Sequence, residues 1–168
     1  LNSPARKSAT RLRAEIAALL KDFPDQLLAL QSAMEEFGEK FELSAFKTAF
    51  ERRSGMKAYN DVQAVERAFA RVQNYIAQLS LNGAQLAELN RPKRHESEVF
   101  RAFEALKNAG AIDASLCRQL KRTQKARAAV EHEYTKVSAG RVHLAVQSVA
   151  EAAPRFIDAY AAWIEPYL

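Results

Sequence analysis

Residues 127–134 read RAAVEHEY and place an arginine, Arg127, four intervening residues before a histidine, His132, with a tyrosine, Tyr134, two positions further on. Histidine titrates near neutrality, so it can take the proton of a 2′-hydroxyl or give one to a leaving 5′-oxygen. Arginine keeps its charge and can stabilise a phosphorane-like transition state. The pair is therefore sufficient for RNA cleavage by internal transesterification, without a metal or a cofactor. One such histidine per chain supplies one proton-transfer group, and a dimer supplies both an acid and a base. An Arg–His spacing of this kind is a weak signal by itself, but neither His95 nor His143 has it, and the tyrosine narrows the pattern further.

These side chains must be held by the element that contains them. Asp113 caps a helix that runs through the motif. With Leu116 as origin and about 100° per residue, Leu120, Thr123, Arg127, Val130 and Tyr134 fall within roughly 40° of it. A guanidinium on such an apolar stripe needs a carboxylate, a cleft or a bound phosphate. A salt bridge to Glu104 or Glu66 is one reading and a phosphate site the other. His132 falls about 160° from Leu116, beside Lys121 and Lys125, so one straight helix aims Arg127 and His132 in different directions. The reach of arginine, local unwinding near His132, or a second copy of the helix across a two-fold axis could bring them together. Lys121, Arg122 and Lys125 read either as a solvated face or as contacts to an RNA backbone. Tyr134 reads equally as packing.

The surrounding chain is expected to be an all-α bundle in one domain, residues 1–168. Its 168 residues are 48% hydrophobic, enough to bury a core, and five glycines with five prolines leave few turns for a many-stranded fold. Ser3-Pro4 opens a helix on Leu12, Ile16, Leu19, Leu20 and Phe23. Pro24 should break or kink it before Leu27, Leu30, Met34 and Phe37 carry the period on to Gly38. A short helix on Phe46 and Phe50 follows, with Ser54-Gly55 as its stop. Asp61 is the expected cap of a long helix on Val62, Val65, Phe69, Val72, Ile76 and Leu79, and Asn82-Gly83 should end that helix or start its exit loop. The polar stretch NRPKRHESE reads as the main surface connection. Val99, Phe100, Phe103 and Leu106 then form a helix stopped by Gly110. Ser138 caps a last helix, kinked at Pro154, that carries Val142, Val146, Val149, Ile157, Tyr160 and Ile164. His143 reads as a surface or boundary residue, and Tyr160, Trp163 and Tyr167 as packing.

A net charge of +5 and a pI near 9.4 favour an anionic partner such as RNA, although many proteins without one share them. The single cysteine, Cys117, can form no internal disulfide and reads as a small buried residue in a reducing compartment. No stretch approaches the roughly 20 apolar residues of a membrane span, and no signal-peptide core opens the chain, so a cytoplasmic protein without membrane contact is expected.

The motif resembles the HEPN superfamily, whose ribonucleases carry Arg, four to six residues, then His. It is closer still to HepT-like toxins, which carry Arg-x4-His-x-Tyr, here Arg127, His132 and Tyr134. FEALKNAGAIDASLCRQLKRTQKARAAVEHEYTKV resembles that family's helix, glycine turn, capped helix and motif, and VERAF at 65–69 resembles its central helix. The likeness spans about residues 42–164, with residues of about 4–38 as an N-terminal helical extension. Ala128 stands where the family often has asparagine, and Glu131 where an apolar residue is usual.

The resemblance implies a homodimeric, antiparallel up-and-down bundle that cuts RNA without metal at a shared cleft. It also implies a partner, an antitoxin of nucleotidyltransferase fold that neutralises the toxin by binding it or by adding AMP to the motif tyrosine. Tyr134 is the matching position, where a deprotonated phenol attacks and the added phosphates place negative charge in the path of RNA. The alternative is a non-catalytic helical dimer that holds such a nucleotidyltransferase or another protein partner, with the motif serving structure alone.

Overall fold

The computed structural model describes residues 7–52, 55–91, 97–132 and 137–168, with side chains at all of these except 52 and 129–132. The described residues form α-helices and a closing 3-10 turn, with no strand among them: α1 (Ala9–Glu35), α2 (Leu43–Arg52), α3 (Met56–Leu86), α4 (Glu98–Asn108), α5 (Ala114–His132) and α6 (Ala139–Ile164). The all-α expectation holds.

α1 begins one residue after Ser8, whose side chain accepts the Arg11 backbone N–H. The proposed Ser3-Pro4 cap lies outside the described residues. Pro24 does not break α1, which continues as one helix on both sides of it. Pro24 is exposed, so the ladder bond it forgoes lies on the watered side, while Ile16, Phe23 and Leu30 keep one buried stripe across it.

Two expectations for α3 are corrected. Asp61 is not its cap: the helix starts at Met56, and the Asp61 carboxylate accepts a 2.6 Å hydrogen bond from Lys57 one turn earlier. Entry into the helix is made by Gly55 at a φ of 104°, a conformation that costs glycine nothing. Ser54 lies outside the described residues. Gly83 does not end α3 either, because the helix runs on to Leu86. Glycine is required there by a neighbour: a Cβ would stand 2.4 Å from the Tyr160 hydroxyl of α6.

Strand-like pairing has no part in the order of these helices; side-chain partners fix it. Glu15 near the start of α1 accepts from Asn82 near the end of α3, and Phe23 meets Tyr75 edge-on, so α1 and α3 run antiparallel. Arg13 donates to the Tyr167 carbonyl beyond the end of α6, which makes α1 antiparallel to α6 as well. Gln119 reaches Ser148, and Arg155 reaches Asp113, across the antiparallel pair of α5 and α6. α3 lies at the centre, in contact with each of the other α-helices. α1 belongs to the same core, since Ile16, Phe23 and Leu30 join Val65, Phe69, Ile76, Leu116, Val146 and Phe156 in one apolar cluster.

His143, expected at a surface or boundary, is buried at 7% exposure. Its ring stacks on Phe41 with centroids 4.4 Å apart, and its Nε2 lies 2.5 Å from the Phe41 carbonyl. The turn after α1, which holds Phe37 and Phe41, folds over this position and excludes it from solvent, a long-range contact that the periodicity of α6 does not encode. Phe156, Tyr160, Trp163 and Tyr167 form the expected aromatic series at the far end of α6.

Candidate functional site

α5 positions the motif. Asp113 accepts the Leu116 N–H at 2.7 Å and so closes the first turn, and that bond holds its carboxyl below the usual carboxylate range. Leu116, Cys117, Leu120 and Thr123 are buried, so the stripe read from the sequence is the face that α5 turns inward. The Thr123 hydroxyl is satisfied by the Leu120 carbonyl at 3.0 Å.

Arg127 continues this stripe and is half-buried. Its Nη1 donates to the side-chain oxygen of Asn74 on α3, 53 residues away in the chain. That hydrogen bond places the guanidinium at the α3–α5 boundary. Next to Asn74, Gln73 is fully buried, and neither its amide nitrogen nor its oxygen has a hydrogen-bond partner among the described residues.

α5 remains α-helical through His132, its last residue. Unwinding before the histidine therefore does not rotate it toward Arg127, which leaves arginine reach or a second copy of the helix. The His132 side chain and all of Tyr134 lie outside what the structure describes.

The basic residues of α5 divide in two. Lys121 pairs with Glu104 of α4, and Lys107 donates to the same carboxylate at 2.6 Å. Glu104 is 5% exposed, and hydrogen bonds from Lys107 and Lys121 hold its carboxyl at about 2. Beneath them the buried Cys117 has its thiol pushed up by burial. Arg122 and Lys125, by contrast, are exposed and line a groove between α5 and α6 of about 410 Å³. Lys125 also lies 5.8 Å from the centre of the Phe100 ring.

Asn74, Arg141 and Leu144 were not singled out from the sequence. Asn74 carries no local signal, because its partner comes from another helix. Arg141 had one: three residues after the Ser138 cap, it sits in the first turn of α6.

No protein-family model matches the chain, and no curated protein sequence does. A solved structure does: a tri-AMPylated HEPN toxin of Shewanella oneidensis in complex with MNT antitoxin superposes with a TM-score of 0.65 at 16% identity, over 88% of this chain and 96% of that one. The bundle shares the fold of that HEPN toxin. Within the described residues no helix is long and apolar enough to cross a membrane.

Proposed function

We propose that this chain is a toxin-like endoribonuclease that cleaves RNA without a metal, through Arg127 and His132, in a cleft shared by two copies of the chain. The observation that carries the reading is Arg127: a guanidinium on the inward stripe of α5, oriented by Asn74, on a HEPN-fold scaffold and in the Arg-x4-His-x-Tyr pattern. A guanidinium in that position can make charge-assisted hydrogen bonds to a phosphate. His132, five residues on, supplies the proton-transfer group.

In the reaction one imidazole accepts the proton of the 2′-hydroxyl as its oxygen attacks phosphorus, and a second, protonated imidazole gives a proton to the departing 5′-oxygen. The products are a 2′,3′-cyclic phosphate and a 5′-hydroxyl. Arg127 stabilises the extra negative charge on the non-bridging oxygens. Two histidines are needed if the acid and the base act in one encounter, and the two-fold arrangement provides them.

Its partner is an antitoxin of nucleotidyltransferase fold. Support comes from the Shewanella oneidensis HEPN toxin of the same fold, which is AMPylated and in complex with MNT antitoxin. Tyr134 is the acceptor: its phenolate displaces pyrophosphate from ATP and receives AMP, which adds negative charge beside the cleft.

RNA cleavage in excess EDTA tests the reading. Wild type should yield cyclic-phosphate ends, and His132→Ala and Arg127→Ala should lose them while retaining the helical circular-dichroism signal. Folded, unmodified protein that cleaves neither tRNA nor mRNA would leave the non-catalytic partner-binding dimer as the better account.

A further inference from the structure

The groove between α5 and α6 is separate from the Asn74–Arg127 contact and has its own chemistry. α5 contributes Arg122, Thr123, Lys125 and Ala126, and α6 contributes Arg141, Leu144, Ala145 and Ser148, with Val137 at the end nearest the helix connection. Arg122, Lys125 and Arg141 are exposed, and none forms an ion pair with any described residue. Among the described residues no carboxylate lines the groove. Lys121, one position before Arg122, shows what the fold does with a cation it neutralises internally: it supplies Glu104. Three like charges around one apolar depression repel one another unless an anion enters.

Leu144 projects beside them at 67% exposure. The volume of about 410 Å³ lies toward the small end of ligand pockets, which hold roughly 300–1,000 Å³. A docked helix would need several apolar anchors at helical spacing, and among the described lining residues Leu144 is the one large exposed apolar side chain. A single nucleotide fits the combination better. Its base and ribose cover Leu144, Val137, Ala126 and Ala145, and its phosphates reach the cations at the rim.

We infer that this groove is a subsite for one unpaired nucleotide of a single-stranded RNA, gripping the strand beside the cleavage cleft. The choice of RNA rests on the proposed ribonuclease function; the anionic nucleotide chemistry rests on the groove. The Ser148 hydroxyl, already accepting from Gln119 at 3.2 Å, can still donate to the ligand.

Binding of a short fluorescein-labelled, fully 2′-O-methylated single-stranded oligonucleotide, which cannot be cleaved, tests the inference by anisotropy over a salt series. Arg141→Ala and Lys125→Ala should each lower the slope of log K against log salt by about 0.7, the value for one phosphate contact to a single strand. Leu144→Glu, which puts a carboxylate among the phosphates, should weaken binding tenfold or more. Because all three side chains are exposed, circular dichroism and thermal midpoints should stay at the wild-type values.

Unchanged affinity and slope in all three variants would overturn the subsite. So would loss of antitoxin capture in these variants with oligonucleotide binding intact, since the groove would then be a protein-docking surface. The two readings fail separately. Groove-dependent binding by a protein with no RNA-cleaving activity would keep the subsite and remove the ribonuclease, whereas His132-dependent cleavage with groove-independent binding would do the reverse.

Discussion

Glu104 decides how much of the basic charge of α5 faces outward. Its carboxylate takes Lys121 and Lys107 together, so the lysine one position before Arg122 is spent inside the fold. The sequence offers Glu104 or Glu66 as a salt-bridge partner for Arg127; in the fold, packing of α4 on α5 brings Lys121 to Glu104. The pair also sets an acid limit. Because the folded carboxyl titrates at about 2 rather than 4.5, its contribution is fully present above about pH 4.5 and is lost as pH falls toward 2. The shift corresponds to at most about 3 kcal/mol. Glu104→Gln should lower stability at neutral pH and flatten the loss between pH 4.5 and 2, measured as urea midpoints across that range. An unchanged acid profile would show that other carboxylates carry the acid sensitivity. Arg127 and Asn74 illustrate the limit of reading at this scale: the burial of the arginine followed from its place on the stripe, but an acceptor from a different helix left no trace near it.

Among the elements, those whose ends are set by their own side chains were legible. Asp113 and Ser138 cap α5 and α6 where their sequence signatures put them, because an N-cap needs only a side-chain oxygen and an amide three residues on. α3 was misread at both ends, since Asp61 carries the same signature but serves a lysine, and Gly83 looks like a terminator but is a contact. That contact joins α3 to α6. Tyr160 lies over Gly83 and donates to the Leu79 carbonyl at 2.7 Å, with burial raising the phenol far above its usual range. Gly83→Ala should cost about 1–3 kcal/mol by overpacking. Tyr160→Phe should cost about 1 kcal/mol by deleting the hydrogen bond. Chemical denaturation of the double variant should give less than the sum, because the ring without its hydroxyl no longer meets the new methyl at 2.4 Å. Strict additivity would mean that the two sites are not in contact.

At the scale of the whole molecule, the proposed function asks how one helix could serve a two-group reaction. α5 is helical through His132, so an ideal wheel keeps Arg127 and His132 roughly 140° apart. In the proposed dimer a second protomer would bring another histidine to the same phosphate, and that arrangement would leave a quantitative mark. If one cleavage event uses His132 of both protomers, as base and as acid, a dimer with a single His132→Ala chain is inactive. Activity of subunit-exchanged mixtures then follows the square of the wild-type fraction. If each protomer works alone, activity is linear in that fraction. Equal amounts of wild type and His132→Ala, exchanged to equilibrium and assayed for cyclic-phosphate ends, should therefore retain about a quarter of the wild-type rate rather than half. A value of one half would mean that each active site uses a single His132, whether its Arg127 comes from the same chain or from the partner, and would overturn the two-histidine mechanism.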